Sequence, residues 1–183
     1  MAVCHAAGIE LGLADPALPY WAIAWPGGLA IARYLADHPA EVAGRHIIDV
    51  ASGSGLCAIV ALRFAAASSR AYDVDPLAVA AIEINAKVNG VRIGCHRDDP
   101  LRASPPPCDV ILAGDVCYEE AMAGRMIEWL RLAAAGGTRV LIGDPGRAYL
   151  PPDLEPLATY EVVASREIEA AGTRVSTVFT IKG

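Results

Sequence analysis

The sequence predicts an α/β domain in which a mostly parallel sheet carries helices on both faces and ends in a C-terminal antiparallel hairpin. Three observations support this fold class. Short apolar segments are followed by longer segments whose apolar residues recur at helical spacing. Glycines come directly after the first apolar segment, at Gly53 and Gly55, as they do where a strand turns into a helix. Near the C-terminus, two β-rich segments flank Ala170-Ala171-Gly172, a spacing typical of a hairpin.

The elements follow a lead-in segment that we assign to residues 1–25, and residues 26–183 form the expected domain. One helix starts at Asp75-Pro76, because aspartate is favoured as an N-cap and proline in the first turn, and it stops at Asn89-Gly90. The apolar residues of that helix that share one face are Leu77, Ala81, Ile84 and Val88. The predicted helices are Leu29–Asp37, Leu56–Ala67, Pro76–Val88 and Glu119–Ala135; the predicted strands are His46–Val50, Arg70–Val74, Val91–Cys95, Asp109–Ala113, Arg139–Gly143, Tyr160–Glu167 and Arg174–Ile181.

Composition excludes several classes of protein. A chain of 183 residues and 19.1 kDa fits one domain, and 54% hydrophobic residues supply a sizeable core and exclude a disordered chain. The chain has a net charge of −6, whereas a general nucleic-acid binder needs an excess of basic residues to bind phosphates. We therefore expect no nucleic-acid partner. No apolar run reaches the roughly 18 residues of a membrane helix, so we expect no membrane association.

Cysteine and histidine usage argues against disulfides and metal. The five cysteines are odd in number, scattered and without a Cys-x-x-Cys pair, and the four histidines form no ligand cluster. We therefore expect free thiols in a reducing cytoplasm and no metal site. No Lys or Arg precedes Arg33, which argues against a secretory or transit peptide. A monomer is the expected oligomeric state.

A glycine-rich loop follows the first strand. It reads Asp49-Val50-Ala51-Ser52-Gly53-Ser54-Gly55. Gly53 and Gly55 permit a tight turn and a close approach of a ligand to the backbone, and the next helix points its free amides at that place. A simple glycine turn or a dinucleotide loop would share these features. Asp49, however, suits a ligand that carries an ammonium group better than an anionic pyrophosphate.

Acidic residues also follow the next two strands. Asp73 ends the second strand, about 20 residues past the loop, where a carboxylate accepts hydrogen bonds from ribose hydroxyls. Asp98 or Asp99 follows the third strand, where an acid can accept from an adenine amino group. Three acids at three neighbouring strand ends favour a cationic nucleoside over a dinucleotide. For Asp75 we favour helix capping alone.

At these residues the chain resembles a class I, seven-β-strand methyltransferase that uses S-adenosylmethionine, and the resemblance implies a Rossmann-like sheet. The Asp49–Gly55 run is similar to that family's acid-x-G-x-G-x-G loop, with Ala51 where glycine is commoner. The helix after Asp75 resembles the one in ribosomal protein L11 methyltransferases. The cofactor-binding residues that the resemblance implies are Trp25, Asp49, Ala51, Ser52, Gly53, Gly55, Asp73, Val74, Asp98, Asp99 and Gly114.

Three further blocks resemble the electron transfer flavoprotein β-subunit lysine methyltransferase group, some of whose members are labelled nicotinamide N-methyltransferase-like. They are Pro19–Gly28, Gly114–Tyr118 and Ile142–Arg147. The resemblance implies a protein substrate with a target lysine. It also places the lead-in segment across the cofactor pocket, where the face of Trp25 can attract the sulfonium cation. Trp21 in that segment and Arg147, which can hold an acidic patch on a protein, are the candidate substrate-binding residues.

The reaction centre is expected at the end of the fourth strand, which adjoins the methyl group in this fold. The chain has Asp115-Val116-Cys117-Tyr118 there and lacks the two prolines found in enzymes that methylate amides or bases. We therefore predict that Asp115 orients an amine and helps to handle its proton, and that Tyr118 packs on or bonds the amine-bearing chain. The alternative for Asp115 is an N-cap of the helix Glu119–Ala135.

Four functions remain open from the sequence. The first is methylation of a protein lysine, and the second is methylation of a small-molecule amine. The third is a nicotinamide-dinucleotide oxidoreductase or sensor, against which Asp49 and the terminal hairpin argue. The fourth is a scaffold that keeps the fold without catalysis, against which the Asp115 and Tyr118 pair argues.

Overall fold

The computed structural model describes residues 19–163 and 172–182. Within them, one seven-stranded sheet has the strand order β3-β2-β1-β4-β5-β7-β6. The strands are β1 His46–Val50, β2 Ser68–Asp73, β3 Gly94–Arg97, β4 Val110–Gly114, β5 Arg139–Asp144, β6 Glu155–Val162 and β7 Arg174–Thr180; the α-helices are α1 Pro26–Asp37, α2 Leu56–Arg63, α3 Pro76–Val88 and α4 Glu120–Ala135. Short 3₁₀ turns lie at Tyr20–Ala22, Pro39–Glu41 and Pro100–Arg102. The predicted fold class is confirmed.

The sheet has its switch point at its centre. Strand β1 pairs in parallel with β2 on one side and with β4 on the other, and β2–β3 and β4–β5 are parallel as well. Strand β7 runs antiparallel to both β5 and β6, which forms the C-terminal hairpin. The carboxyl ends of β1 to β5 therefore meet at one edge, and in open α/β sheets this is the edge at which ligands bind.

The central strands are buried on both faces and so need no polar alternation. Their residues alternate between two apolar clusters, one under α4 and one under α1 and α2. Ile48, Ile111 and Val140 belong to the α4 cluster, which also contains Trp129 and Leu130. The members of β1, β4 and β5 in the other cluster are Ile47, Val110, Leu112 and Leu141.

Several predicted bounds were wrong. Helix α2 ends at Arg63 rather than Ala67, because Ala65 takes a left-handed φ of 64° and ends the helical path. Strand β3 begins at Gly94 rather than Val91, where it pairs with Arg70. Strand β6 begins at Glu155, because pairing with β7 starts there and includes residues before Tyr160.

Parts of two predictions lie outside the described residues. These are the end of the strand predicted to reach Glu167 and the turn residues Ala170-Ala171. The predicted lead-in is described only from Pro19, and it contains the 3₁₀ turn Tyr20–Ala22. Among residues 19–163 and 172–182, no helix has the length and apolar character to cross a bilayer. The same ranges hold no group of three or more potential metal ligands.

Candidate active site

The glycine-rich loop leaves β1 through a series of left-handed backbone conformations. Ala51 has φ 50°, Gly53 has φ 56° and Gly55 has φ 82°. Asp49 lies beneath the loop with 2% of its surface exposed, and its Oδ2 accepts hydrogen bonds from Ser52 Oγ at 2.6 Å and Ala58 N at 3.1 Å. Asp49 thus joins the loop to the first turns of α2. Burial raises the pKa of this carboxyl to about 7, and its predicted contact with a ligand ammonium stays a prediction.

Asp73 lies beside the loop at the end of β2. Its Oδ2 accepts from Gly53 N at 2.9 Å and its Oδ1 accepts from Asp75 N at 3.0 Å. Burial raises the pKa of Asp73, while these backbone donors oppose that rise. Asp75 is the N-cap of α3, since its carboxylate accepts from Leu77 N at 2.8 Å, as predicted. The next side chain after Asp73, Val74, is 65% exposed and presents an apolar face at the same edge.

The two acids after β3 differ in their surroundings. Asp99 caps the 3₁₀ turn Pro100–Arg102 through Leu101 N at 3.1 Å, and its other oxygen binds Arg125 Nη2 at 3.0 Å. Asp98 is exposed, and one of its oxygens accepts from Asp99 N at 2.9 Å. Asp99 is thus paired with a cation and caps a turn, whereas Asp98 is open to solvent; which of the two contacts adenine stays a prediction.

The lead-in segment lies directly over the glycine loop. A Cβ atom added to Gly53 would lie 3.6 Å from Trp21 Cα, so the two backbones are close together. Trp21 Nε1 is buried and has no hydrogen-bond partner among the described residues. Trp25 Nε1 donates to Tyr20 O at 2.8 Å, and the two rings stack with centroids 6.1 Å apart. The segment therefore crosses the expected cofactor pocket, while contacts of Trp21 or Trp25 with ligands stay predictions.

Helix α1 meets the ends of β4 and β5 through glycine backbone. A Cβ atom on Gly27 would overlap the Gly143 carbonyl oxygen and lie 2.7 Å from Asp115 Oδ2. A Cβ atom on Gly114 would lie 2.9 Å from both Cα and N of Gly28. Only glycine permits so close an approach of two backbones. We call this contact, formed by Gly27, Gly28, Gly114 and Gly143, the glycine junction.

Asp115 lies in the glycine junction with its side chain 8% exposed. Its Oδ2 accepts from Gly28 N at 2.8 Å, its Oδ1 accepts from Arg147 Nη1 at 2.6 Å, and its own N donates to Gly143 O at 2.8 Å. Asp115 takes a left-handed φ of 60°. Burial raises the pKa of Asp115, and the Arg147 guanidinium opposes this rise.

The alternative reading of Asp115 as the cap of the following helix is wrong. Glu119 caps α4 by accepting from Ala121 N at 3.3 Å. Asp115 instead satisfies a free amide at the start of α1, which is 87 residues away in sequence. Tyr118 is 63% exposed and stands at the rim of this region, whereas Cys117 is buried.

Arg147 does not face outward as its predicted role requires. Its Nη1 binds Asp115 and also lies 3.3 Å from Asp144 Oδ2, and its side chain is 20% exposed. The expectation that Arg147 holds an acidic patch of a substrate is therefore not supported by its placement. Sequence reasoning also missed Gly28 and Asp144. Gly28 follows Gly27 just before a predicted helix, and Asp144 follows Gly143 at the end of a predicted strand. A glycine beside a second glycine or beside an acid at such a place is the pattern that could have identified them.

The family model described as ribosomal protein L11 methyltransferase (PrmA) matches residues 35–114. The electron transfer flavoprotein beta subunit lysine methyltransferase of Danio rerio is 39% identical over 168 residues, which cover 88% of this chain and 65% of that protein. The Xenopus laevis protein of the same name is 36% identical over 171 residues, which cover 90% of this chain and 70% of that protein. The chain belongs to the electron transfer flavoprotein β-subunit lysine methyltransferase family.

Members of this lysine methyltransferase family differ in length from the present chain. The chain spans 51% to 70% of the length of the five vertebrate relatives compared. Solved structures share the fold at low identity. A ribosomal protein L11 methylase from Lactobacillus delbrueckii subsp. bulgaricus has a TM-score of 0.59 at 20% identity, covering 84% of this chain and 78% of that one. The N-methyltransferase NodS from Bradyrhizobium japonicum has a TM-score of 0.59 at 14% identity, covering 85% and 94%.

Proposed function

We propose that this chain transfers a methyl group from S-adenosylmethionine to the side-chain amine of a protein lysine. One observation carries the proposal: the carboxyl ends of β1, β2 and β4 bring Asp49, Asp73 and Asp115 to one edge of the sheet, beside the glycine-rich loop. Acids at these places suit a ligand with an ammonium group and ribose hydroxyls, and they leave one further carboxylate for a substrate amine. Membership of the lysine methyltransferase family supports the same assignment.

The described residues fit this cofactor. Asp73 keeps lone pairs on both oxygens beyond those used by Gly53 N and Asp75 N, so it can accept from two ribose hydroxyls. Exposed Val74 offers an apolar surface to a purine ring, and Asp98 lies one strand further along. The buried and unpartnered Nε1 of Trp21 is a donor over the loop that a bound ligand can satisfy. When bound, the cofactor supplies an electrophilic methyl group on a positively charged sulfur.

The chain's own residues then orient the amine. A lysine ammonium must first give up its proton to solvent water, because only the neutral nitrogen has a lone pair; the new nitrogen–carbon bond would then form as the bond between the methyl carbon and the cofactor's sulfur breaks. Asp115 is held by donors on both oxygens and has little exposed surface, so its carboxylate is fixed in place. We assign it the role of a fixed negative charge that attracts and aligns the amine, and alignment of this kind supplies much of a reaction's rate. Tyr118 at the rim packs on the methylene chain or bonds the amine.

A transfer assay tests the proposal. The protein is incubated with S-adenosylmethionine labelled in its methyl group and with purified electron transfer flavoprotein β subunit, and the labelled residue is found by mass spectrometry. We expect label on lysine and none when the lysines of the substrate protein are blocked beforehand. In a parallel incubation with a cell extract in place of the purified subunit, label that enters only the small-molecule fraction would favour the small-amine alternative. Cytoplasmic location and a monomeric state stay predictions of the sequence.

A further inference from the structure

We propose that Arg147 is a positioning residue, which clamps the Asp115 carboxylate in the orientation that turnover requires. This inference rests on the proposed function, since the orientation matters only if Asp115 faces a substrate amine. It gives Arg147 a role different from the contact with an acidic patch that the sequence suggested.

Arg147 is itself held at both ends. Its backbone N and that of Gly146 donate to Asp144 Oδ1 at 2.7 Å and 2.8 Å. Its Nη1 lies 3.3 Å from Asp144 Oδ2 and 2.6 Å from Asp115 Oδ1. The Asp144 side chain has no exposed surface. Its two oxygens therefore hold the backbone of the loop after β5 and the guanidinium of Arg147 in that loop. A long and flexible side chain is thereby reduced to one orientation.

Arg147 and helix α1 grip Asp115 from opposite sides. Gly28 N binds Oδ2, and Arg147 Nη1 binds Oδ1. If the guanidinium is removed, Oδ1 loses its charged donor and the backbone amides of Gly27 and Gly28 are left to restrain the carboxylate, which can then turn more freely about its side-chain torsions. Charge-assisted hydrogen bonds are roughly twice as strong as neutral ones, so Arg147 supplies a large share of this restraint.

The charges around Asp115 give the guanidinium a second effect. Asp115 and Asp144 are buried carboxylates near one another, and Arg147 lies between them and pairs with both. Among the residues that the structure describes, the thiols of Cys57 in α2 and Cys117 after β4 also act on this site, and burial raises the pKa of both. Both thiols are therefore neutral near pH 7. Without Arg147, two like charges would share a low-dielectric site, which favours protonation of one of them.

The central variant is Arg147→Met, which keeps length and removes charge. We expect kcat to fall by roughly 10²-fold, the cost typical of a misplaced reacting group. KM for the protein substrate and the affinity for S-adenosylhomocysteine should stay within about twofold of wild type, because neither ligand contacts Arg147 in this assignment. Arg147→Lys restores a cation and should recover part of kcat. Arg33→Met is the matched control, because Arg33 is 67% exposed and its ion pair with Asp37 lies on the outer face of α1.

Three outcomes would overturn the assignment. A raised KM with unchanged kcat would show that Arg147 binds the substrate directly. A lowered melting temperature with wild-type kcat, measured well below that temperature, would show a role in stability alone. Wild-type behaviour in both respects would show no role.

A measurement without turnover separates this proposal from the proposed function. The ¹³C chemical shift of the Asp115 carboxyl reports its ionisation during a pH titration. We expect it to titrate at higher pH in Arg147→Met than in wild type and to return towards wild type in Arg147→Lys. If wild type binds S-adenosylhomocysteine but methylates no lysine, the proposed function is wrong. An unchanged titration of Asp115 in Arg147→Met would overturn the clamp itself.

Discussion

Substitution of Gly27 by alanine tests the glycine junction directly. The added Cβ would overlap the Gly143 carbonyl oxygen and lie 2.7 Å from Asp115 Oδ2, and the Gly143 carbonyl is backbone that cannot move away without shifting α1 or β5. Overpacking of this kind costs about 1–3 kcal/mol. Displacing α1 also breaks the bond from Gly28 N to the Asp115 carboxylate, which contributes about 1.5–3 kcal/mol. We therefore expect the free energy of unfolding to fall by roughly 2.5–6 kcal/mol, and Tm to fall by roughly 5–24 °C for a chain of this size.

Gly124→Ala is the matched control for Gly27→Ala. Both glycines are helical, but a Cβ on Gly124 would have no heavy atom within 4 Å. Alanine in a helix interior is favoured over glycine by about 0.5–1 kcal/mol, so Gly124→Ala should raise Tm by roughly 1–4 °C. Thermal unfolding followed by circular dichroism measures both variants. If Gly27→Ala is as stable as wild type, the close contact between α1 and β5 is wrong.

The remaining predictions concern the acids. Asp73→Ala should weaken binding of S-adenosylhomocysteine by roughly 10-fold or more, because charged hydrogen bonds to the ligand are lost. Asp75→Ala should lower the free energy of unfolding by about 1 kcal/mol, because a helix cap is lost, and should change the affinity little. Calorimetric titration of both variants compares the two affinities. Burial raises the pKa of Asp49 to about 7, above the value of about 3.9 for an unfolded aspartate, so Asp49 lowers stability as the pH rises from about 4 through 7. Asp49→Asn should flatten that part of the pH dependence in urea unfolding, and an unchanged slope would show that another group is responsible. Asp115→Asn should reduce methyl transfer by roughly 10²-fold and keep most cofactor affinity, and wild-type transfer would refute its assignment to the reaction centre.

Local sequence patterns predicted the strands and helices, and also the residues that follow the carboxyl ends of β1 and β2. The cap at Asp75, the loop glycines and the acid at Asp73 each follow from a few neighbouring residues, because turns and caps depend on local backbone chemistry. The alternation of strands and helices gave the parallel sheet in the same way. These features need no knowledge of which distant segments touch.

Distant pairings could not be predicted in this way. Gly28 and Asp115 are 87 residues apart, and Arg147 and Asp115 are 32 apart, so no short pattern connects them. The inward turn of Arg147 depends on which charge lies across the sheet edge, and a single sequence does not contain that information. From the sequence, Arg147 was therefore predicted to be an exposed cation that contacts a substrate.

Helix α3 shows a second limit, because it carries two apolar faces. The face of Ile84 and Val88 is exposed, at 63% and 79%, while Ala78, Ile82 and Ala86 are buried. A periodicity of apolar residues cannot choose between two such faces. The alanine face is buried because small side chains let the helix backbone lie close to β2 and β3.

The glycine junction explains why three separate blocks of sequence have the residues they do. The start of α1 has amides without helical partners, and a carboxylate is the group that best satisfies them at the positive end of a helix. Asp115, directly after β4, supplies that carboxylate, and Gly27, Gly114 and Gly143 allow the backbones to come close enough for the bond to form. A carboxylate so buried would favour its neutral form, and Arg147 from the loop after β5 opposes this. The start of α1 donates an amide to Asp115, Asp115 satisfies that amide, and Arg147 stabilises the charge on Asp115. The two donors oppose protonation of Asp115 and fix the position of its carboxylate, so Asp115 is suited to attract and align an amine.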